Sequence, residues 1–322
     1  MEKVVVIGPF NPAMRAALKD AVPAERFELE FTGEEMDRDK MRYADYIILR
    51  TLSIDAECMG GLERVKLIQR WGAGYDTVDI KEAGRRGIQV AVTAGMNATP
   101  VAEMTLALTL AVYRNLVPLT NDIMKGKWSR EEYSRCSYTI SGKTAGILGS
   151  GNIGRKAAAL FKAFGADVIY YDPCRLSPEQ EEQYGLRYVT QEELWSESDI
   201  LSLHAPLTGE TRHIVDAGVL RQMKERAVLI NTAREELVDY QALADAIGQG
   251  KLLGAGLDAI EEDFMKHNPF CGMDHVVLTS HLAGNTVDNA VHMAKRCASQ
   301  IQDVSRGLRL TPPHLVNGQF LT

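Results

Sequence analysis

Short apolar runs rich in Val, Ile and Leu recur along the whole chain, separated by stretches with helical periodicity. In the first part they predict strands over 4–7, 27–31, 46–49, 66–69 and 89–91. Helices are expected between them over 12–22 and 80–86, the second stopped by Gly87. The alternation breaks at 95–100, Gly-Met-Asn-Ala-Thr-Pro, a loop that ends in a helix-start signal. The long, mostly apolar stretch 101–115 is then expected as a helix buried between two domains. After Gly142 the rhythm resumes, with strands over 144–148, 168–171, 200–204, 227–231, 253–257 and 276–279 and a last helix over 286–306. Near-continuous apolar strands are what a sheet covered on both faces requires. The pattern therefore predicts an α/β chain with two doubly wound parallel-sheet domains.

Length agrees, since 322 residues make about two ordinary domains, and 45% apolar residues suffice for packed cores. The balance of 36 basic against 43 acidic residues, with no basic patch, excludes a general nucleic-acid binder. The longest apolar stretch, 104–113, is far short of a membrane span. The amino-terminal residues carry no secretory signal pattern. Cys58, Cys136, Cys174, Cys271 and Cys297 are scattered, with neither a CxxC nor a histidine pair at ligand spacing. A cytoplasmic protein with reduced thiols and no metal is expected.

The sequence Gly149-Ser-Gly151-Asn152-Ile153-Gly154 is a GxGxxG between the strand over 144–148 and a helical stretch over 155–164. A second strand follows and ends in Asp172, 23 residues after Gly149. Gly149 permits the tight turn, Gly151 lets backbone approach a pyrophosphate, and Gly154 lets helix and strand pack closely. Asp172 can accept two ribose hydroxyls and would repel a 2′-phosphate, which favours NAD over NADP; Arg175, three residues on, is the one feature that could accommodate that phosphate. A P-loop lookalike at Gly142-Lys143-Thr144 has Ser137 where its first glycine is required, and it precedes its strand rather than following it.

Hydride transfer to a carbonyl needs a cation on the substrate, a proton donor, and a carboxylate beside that donor. Of seven histidines, His204 and His281 stand at the carboxyl ends of predicted strands, where doubly wound sheets bind ligands. Arg234 ends another strand, and Glu261-Glu262-Asp263 follows the next. Satisfied rim histidines and a solvated arginine would give the same pattern, because spacing does not show that these groups meet.

At these residues the chain resembles the NAD-dependent D-isomer-specific 2-hydroxyacid dehydrogenases, which include D-glycerate, D-lactate and phosphoglycerate dehydrogenases. The likeness runs in order through 70–79 (RWGAGYDTVD), 99–103 (TPVAE), 146–154 (GILGSGNIG), 203–208 (LHAPLT), 231–234 (NTAR), 254–258 (GAGLD) and 279–284 (TSHLAG). It implies a Rossmann-like NAD-binding domain, 99–285, inserted in a flavodoxin-like substrate-binding domain, 1–98 plus 286–322, with the active site in the interdomain cleft. It implies Arg234 as clamp on the substrate carboxylate and carbonyl, His281 as acid/base, and Asp263 as the partner of His281. Gly149, Gly151, Asn152, Ile153, Gly154, Asp172, Thr232 and Asp258 would bind NAD, Asp258 against the nicotinamide amide. Ala73, Gly74 and Asn97 would bind the substrate with Arg234. A homodimer is also implied.

Three departures stand out. Asp263 replaces the family's Glu, and its carboxylate is about 1.5 Å shorter in reach; Glu262, one position out of register, is a candidate substitute. Glu235 replaces the glycine that usually follows the arginine, and Ser280 the proline before the histidine. A carboxylate at 263, where formate dehydrogenases have Gln, argues against that activity. The expected reaction is interconversion of a small 2-keto acid and its D-2-hydroxy acid with NAD(H). The alternatives are an NAD(H)-binding regulator or a catalytically weakened paralogue. Leu52 in the loop 50–53 favours an unphosphorylated acid such as hydroxypyruvate, glyoxylate or a larger keto acid.

Overall fold

Val4, Val5, Val6 and Ile7 are each 1% exposed or less, because their strand has a neighbour on each edge and helices on each face. In the computed structural model, which describes residues 1–321 with Glu262 by its backbone alone, this strand belongs to the first of two units. That unit comprises Met1–Asn97 and the chain from Asn285 onward; the second is Ala98–Gly284.

The first unit holds β1 (Glu2–Ile7), β2 (Phe27–Phe31), β3 (Tyr46–Leu49), β4 (Leu67–Arg70) and β5 (Gln89–Ala91). They form one parallel sheet in the order β2-β1-β3-β4-β5, the flavodoxin-type order. Alternate residues feed two separate cores. Val4, Val6, Tyr46, Ile48 and Leu67 pack on one face, while Val5, Ile7, Ile47, Leu49 and Ile68 pack on the other. Both faces are apolar, which is why these strands read as unbroken hydrophobic runs. The helix Val287–Ser305, capped by the Thr286 hydroxyl, brings the returning chain onto the first face with Ala290, Met293, Ala294, Cys297 and Ile301.

The second unit holds β6 (Thr144–Leu148), β7 (Asp167–Tyr171), β8 (Arg187–Tyr188), β9 (Ile200–Leu203), β10 (Val228–Asn231), β11 (Gly254–Leu257) and β12 (Val276–Leu278). All pair in parallel, in the order β12-β11-β10-β9-β6-β7-β8. The strand order reverses between β6 and β9, and a doubly wound sheet binds its ligand at the carboxyl ends beside such a reversal.

The apolar helix, expected over 101–115 between domains, runs Ala98–Tyr113 and packs within the second unit on β10, β11, β12 and the helix Asn152–Ala163. It approaches β11 so closely that a Cβ on Gly256 would lie 2.7 Å from Leu108 Cβ. Pro100 is tolerated because it sits in the first turn, where its missing N–H has no intrahelical acceptor anyway. The helix expected from 155 starts at Asn152, with Gly151 as its extended N-cap. The alternation did not pick out β8 or the short helices Pro178–Tyr184 and Gln191–Glu197. These helices are charged and brief, yet both carry capping boxes, Ser177 with Gln180 and Thr190 with Glu193, that are visible in the sequence. Among the described residues no helix is long and apolar enough to cross a membrane.

Leu201 in β9 is fully buried in the core beside the strand reversal. Leu201→Ala is expected to destabilise the protein by about 2–5 kcal/mol, measured as a shift in the urea unfolding midpoint; a loss under about 0.5 kcal/mol would contradict the packing described.

Candidate active site

The chain leaves β6 at Gly149, whose φ of +94° is open to glycine and strained for other residues. A Cβ there would lie 2.9 Å from the backbone of His204 and Ala205. A Cβ on Gly154 would come within 2.0 Å of the Gly149 carbonyl oxygen, while Gly151 faces open space. The two outer glycines close the turn, and the middle one leaves room for a ligand over the first N–H groups of the helix Asn152–Ala163. Asp172, at the end of β7, ties down the same loop. Its Oδ2 accepts from Ser150 N (2.7 Å) and Ser150 Oγ (3.1 Å), and its Oδ1 from Cys174 N (2.8 Å). Oδ1, with one donor, keeps a lone pair for a hydroxyl.

Arg175, the residue that could have received a 2′-phosphate, is engaged elsewhere. Its guanidinium forks onto Glu181 at 2.7 and 3.0 Å and lies over the Tyr188 ring. Arg175, with the Tyr170 hydroxyl, holds the Glu181 carboxyl down to about 2. The glycine loop, helix end and ribose acid together fit a dinucleotide without a 2′-phosphate. Thr232 lies buried after β10, its Oγ1 3.0 Å from Thr105 Oγ1 of the apolar helix.

Three successive strand ends carry the remaining chemistry. After β10 the buried Asn231 side chain shapes the turn that presents Arg234. It donates to the Arg234 carbonyl (2.8 Å) and the Tyr240 hydroxyl (3.2 Å), and accepts from Ala233 N (3.0 Å). Arg234 Nη1 donates to the Ala233 carbonyl at 2.7 Å. Glu235 opens the turn Glu235–Leu237, a right-handed 3-10 conformation, so the glycine usual at this position is not needed sterically.

After β11 comes Asp258, 1% exposed. Its Oδ1 accepts from Thr279 Oγ1 (2.6 Å) and Leu282 N (2.9 Å), its Oδ2 from Ala283 N (3.0 Å), and its carbonyl from His281 N (2.9 Å). These bonds grip the loop after β12 and hold His281 at φ +52°, a left-handed conformation that costs a non-glycine residue about 1–2 kcal/mol. The imidazole Nδ1 of His281 meets Glu261 Oε1 at 2.7 Å. His204 sits after β9 with its Nε2 2.9 Å from Ser202 Oγ, and burial pushes it down to about 4, so it stays neutral.

Asp263 requires a correction. Expected on His281, it is exposed and pairs with Lys266 instead. The turn Glu262–Lys266 is 3-10, in which side chains three apart eclipse, so Asp263 lines up with Lys266. The side chain of Glu262, the other candidate, lies outside the described residues. Glu261 was part of the acidic cluster in the sequence, but nothing there separated it from its neighbours. Its own N–H reaches Glu235 Oε2 at 3.4 Å. Burial, aided by Glu236, Glu261 and Asp263, raises the Glu235 carboxyl above its ordinary range against the lowering effect of that N–H.

In the first unit, Ala73 and Gly74 lie in the loop after β4. Arg70 Nε holds the Gly74 carbonyl at 3.0 Å, while the Thr93 hydroxyl takes Gly72 N at 3.0 Å. Sequence reasoning had not picked out this Arg70 clamp. Asn97 Oδ1 is buried without a hydrogen-bond partner among the described residues.

Residues 106–283 match the family model described as "D-isomer specific 2-hydroxyacid dehydrogenase, NAD binding domain". The chain belongs to this family. It is similar to a glyoxylate reductase of Thermococcus litoralis, 38% identical over 88% of this chain and 87% of that one. A hydroxypyruvate reductase of Thermotoga maritima is 34% identical over 81% and 86% of the two chains. Among solved structures, D-lactate dehydrogenase from Aquifex aeolicus, complexed with NAD and lactic acid, superposes with a TM-score of 0.81 at 27% identity, covering 94% of this chain and 96% of that one. The protein is an NAD-dependent D-2-hydroxyacid dehydrogenase, and the glycine loop and Asp172 are the parts of its structure that suit that cofactor.

Asp172→Ala is expected to weaken NADH binding and narrow the preference over NADPH by about tenfold, since a charge-assisted hydrogen bond and a repulsion disappear together. Fluorescence titration with both cofactors reads this; an unchanged ratio of dissociation constants would contradict the role of Asp172.

Proposed function

We propose that this dehydrogenase reduces a small unphosphorylated 2-keto acid, of the glyoxylate or hydroxypyruvate kind, to the D-2-hydroxy acid. His281 serves as proton donor and Arg234 as substrate clamp. The observation that carries the reading is the grip of Asp258 on a left-handed His281, two strand ends beyond the turn that presents Arg234. Such strain persists only where surrounding bonds over-determine it, and it is typical of functional positions. The neutral His204 is a poor proton source by comparison.

Bound NADH supplies the hydride. The guanidinium of Arg234 offers a planar fork to the substrate carboxylate and polarises the neighbouring carbonyl. With Nδ1 of His281 facing a carboxylate, Nε2 is the atom from which the imidazolium hands a proton to the carbonyl oxygen as charge develops there. Asp258 Oδ2, with one donor from the protein, keeps capacity for the nicotinamide amide. In the first unit, the Arg70 clamp on Gly74 leaves the N–H groups of Ala73 and Gly74 to receive a carboxylate, with Asn97 following the same unit's last strand. The lean to an unphosphorylated acid draws on the relatives' names and on the loop 50–53. There Arg50 donates to the Pro9 carbonyl and Leu52 packs into the core.

We also read the protein as a homodimer. The helix Leu116–Met124 presents Leu116, Val117, Ile123 and Met124 to solvent, and Trp128 beyond it is 81% exposed. A contiguous apolar surface of this kind is typically covered by a partner. Light scattering after size exclusion should give twice the chain mass, and Trp128→Glu should lower it; a monomeric parent protein would refute the dimer.

Turnover tests the main reading. NADH oxidation should be rapid with glyoxylate or hydroxypyruvate and absent or slow with phosphorylated keto acids. His281→Ala should reduce kcat by about a hundredfold or more with NADH affinity unchanged. Activity in that variant close to the parent's would rule out His281 as the acid.

A further inference from the structure

The two sharpest departures from the family pattern, Glu235 for glycine and Asp263 for Glu, occupy neighbouring places in the fold. The turn after β10 and the loop after β11 meet where the Glu261 N–H donates to Glu235 Oε2 at 3.4 Å. The loop so held sets the Glu261 carboxylate on His281 Nδ1 at 2.7 Å, and Asp263 is turned away onto Lys266. A glycine at 235 would have no carboxylate to offer that N–H.

We infer that Glu261 is the positioning residue for His281 and that Glu235 holds Glu261 in place, so that the partner carboxylate has moved two residues along the chain. This rests on the reading of His281 as proton donor. The backbone of His281 is already fixed by Asp258, through the histidine N–H and the two N–H groups that follow it. Those backbone bonds set neither the rotation of the imidazole nor which nitrogen carries the proton. A carboxylate on Nδ1 decides both, since it accepts only from a protonated Nδ1 and leaves Nε2 directed elsewhere. The Glu261 side chain is 66% exposed, so Coulombic attraction between the pair is weak. Orientation and tautomer are therefore its contribution. Glu236, Glu261 and Asp263 all bear on the charge of Glu235, and Asp263 is itself engaged with Lys266. With Glu235 in place, Glu261 takes the role that a longer side chain at 263 would otherwise fill.

Four comparisons test this on the whole chain. Glu261→Ala should lower kcat by about tenfold to a hundredfold, with KM and NADH affinity changed less than about threefold, and Glu261→Gln, which keeps an acceptor, should retain more. Asp263→Asn should stay within about twofold of the parent. Glu235→Gly should lose kcat several-fold and regain it when Asp263→Glu is added. Imidazole nitrogen shifts in ¹⁵N NMR, assigned with His281→Ala, should show protonated Nδ1 in the parent and a mixture of tautomers in Glu261→Ala.

The inference is overturned if Asp263→Asn loses as much as Glu261→Ala, if Glu261→Ala keeps parental kcat, or if its tautomer is unaltered. Parental kcat in Glu235→Gly, or no recovery in the double variant, overturns the assignment of Glu235. The NMR signal does not depend on turnover. A tautomer change in Glu261→Ala, together with full activity in His281→Ala, would sink the acid role while leaving the pairing intact.

Discussion

A single buried carboxylate organises the chemical end of the second unit. Asp258 leaves β11 and spends its oxygens on the loop after β12: two backbone N–H groups and a hydroxyl on the side chain, a third N–H on the carbonyl. Burying an unpaired carboxylate is very costly, so either these donors are present together or the loop cannot adopt this form. Their combined pull holds His281 in a left-handed conformation that the residue would not choose alone. A histidine on an unconstrained loop would sample many directions; here the backbone is fixed before any substrate arrives, as the proposed proton transfer would need.

The same device recurs at the cofactor end of the sheet. Asp172 uses both oxygens to fasten Ser150 and Cys174, so the glycine loop and the acid that would meet the ribose form one rigid piece. Arg175 could have softened that acid toward a phosphate. Its bidentate bond to Glu181 and its place over Tyr188 commit it to the helix Pro178–Tyr184 and β8. A charge count around Asp172 would have missed this, because an arginine three residues away counts for little once it has a better partner. In both places backbone donors, not further side chains, set the direction of the functional group.

The fold and the cofactor were largely legible in the sequence. Apolar runs on both faces of each strand need cover on both sides, and the glycine fingerprint needs its strand, helix and acid in a fixed local order. Such requirements act over a few residues or through a repeated pattern, so they leave a visible trace. Local capping boxes left a trace as well, at Ser177 and Thr190, although strand rhythm alone passed over them. The long apolar helix shows the limit. Composition said that the stretch 101–115 is buried, but only the fold shows that its helix, Ala98–Tyr113, lies on β10–β12 of its own unit, close enough to require Gly256.

Which carboxylate meets His281 was beyond the sequence. Glu261, Glu262 and Asp263 are consecutive, and one residue of loop rotation changes which of them faces the histidine. The outcome is set by the N–H bond to Glu235, which belongs to another strand end, and by the 3-10 turn that aligns Asp263 with Lys266. The sequence by itself determined the architecture, the family and the nucleotide loop, because those follow from periodicity and short-range spacing. The tertiary structure alone decided the partners of Asp258, Glu235 and His281. Their bonds join segments far apart along the chain, and only the folded sheet brings those strand ends within hydrogen-bonding reach.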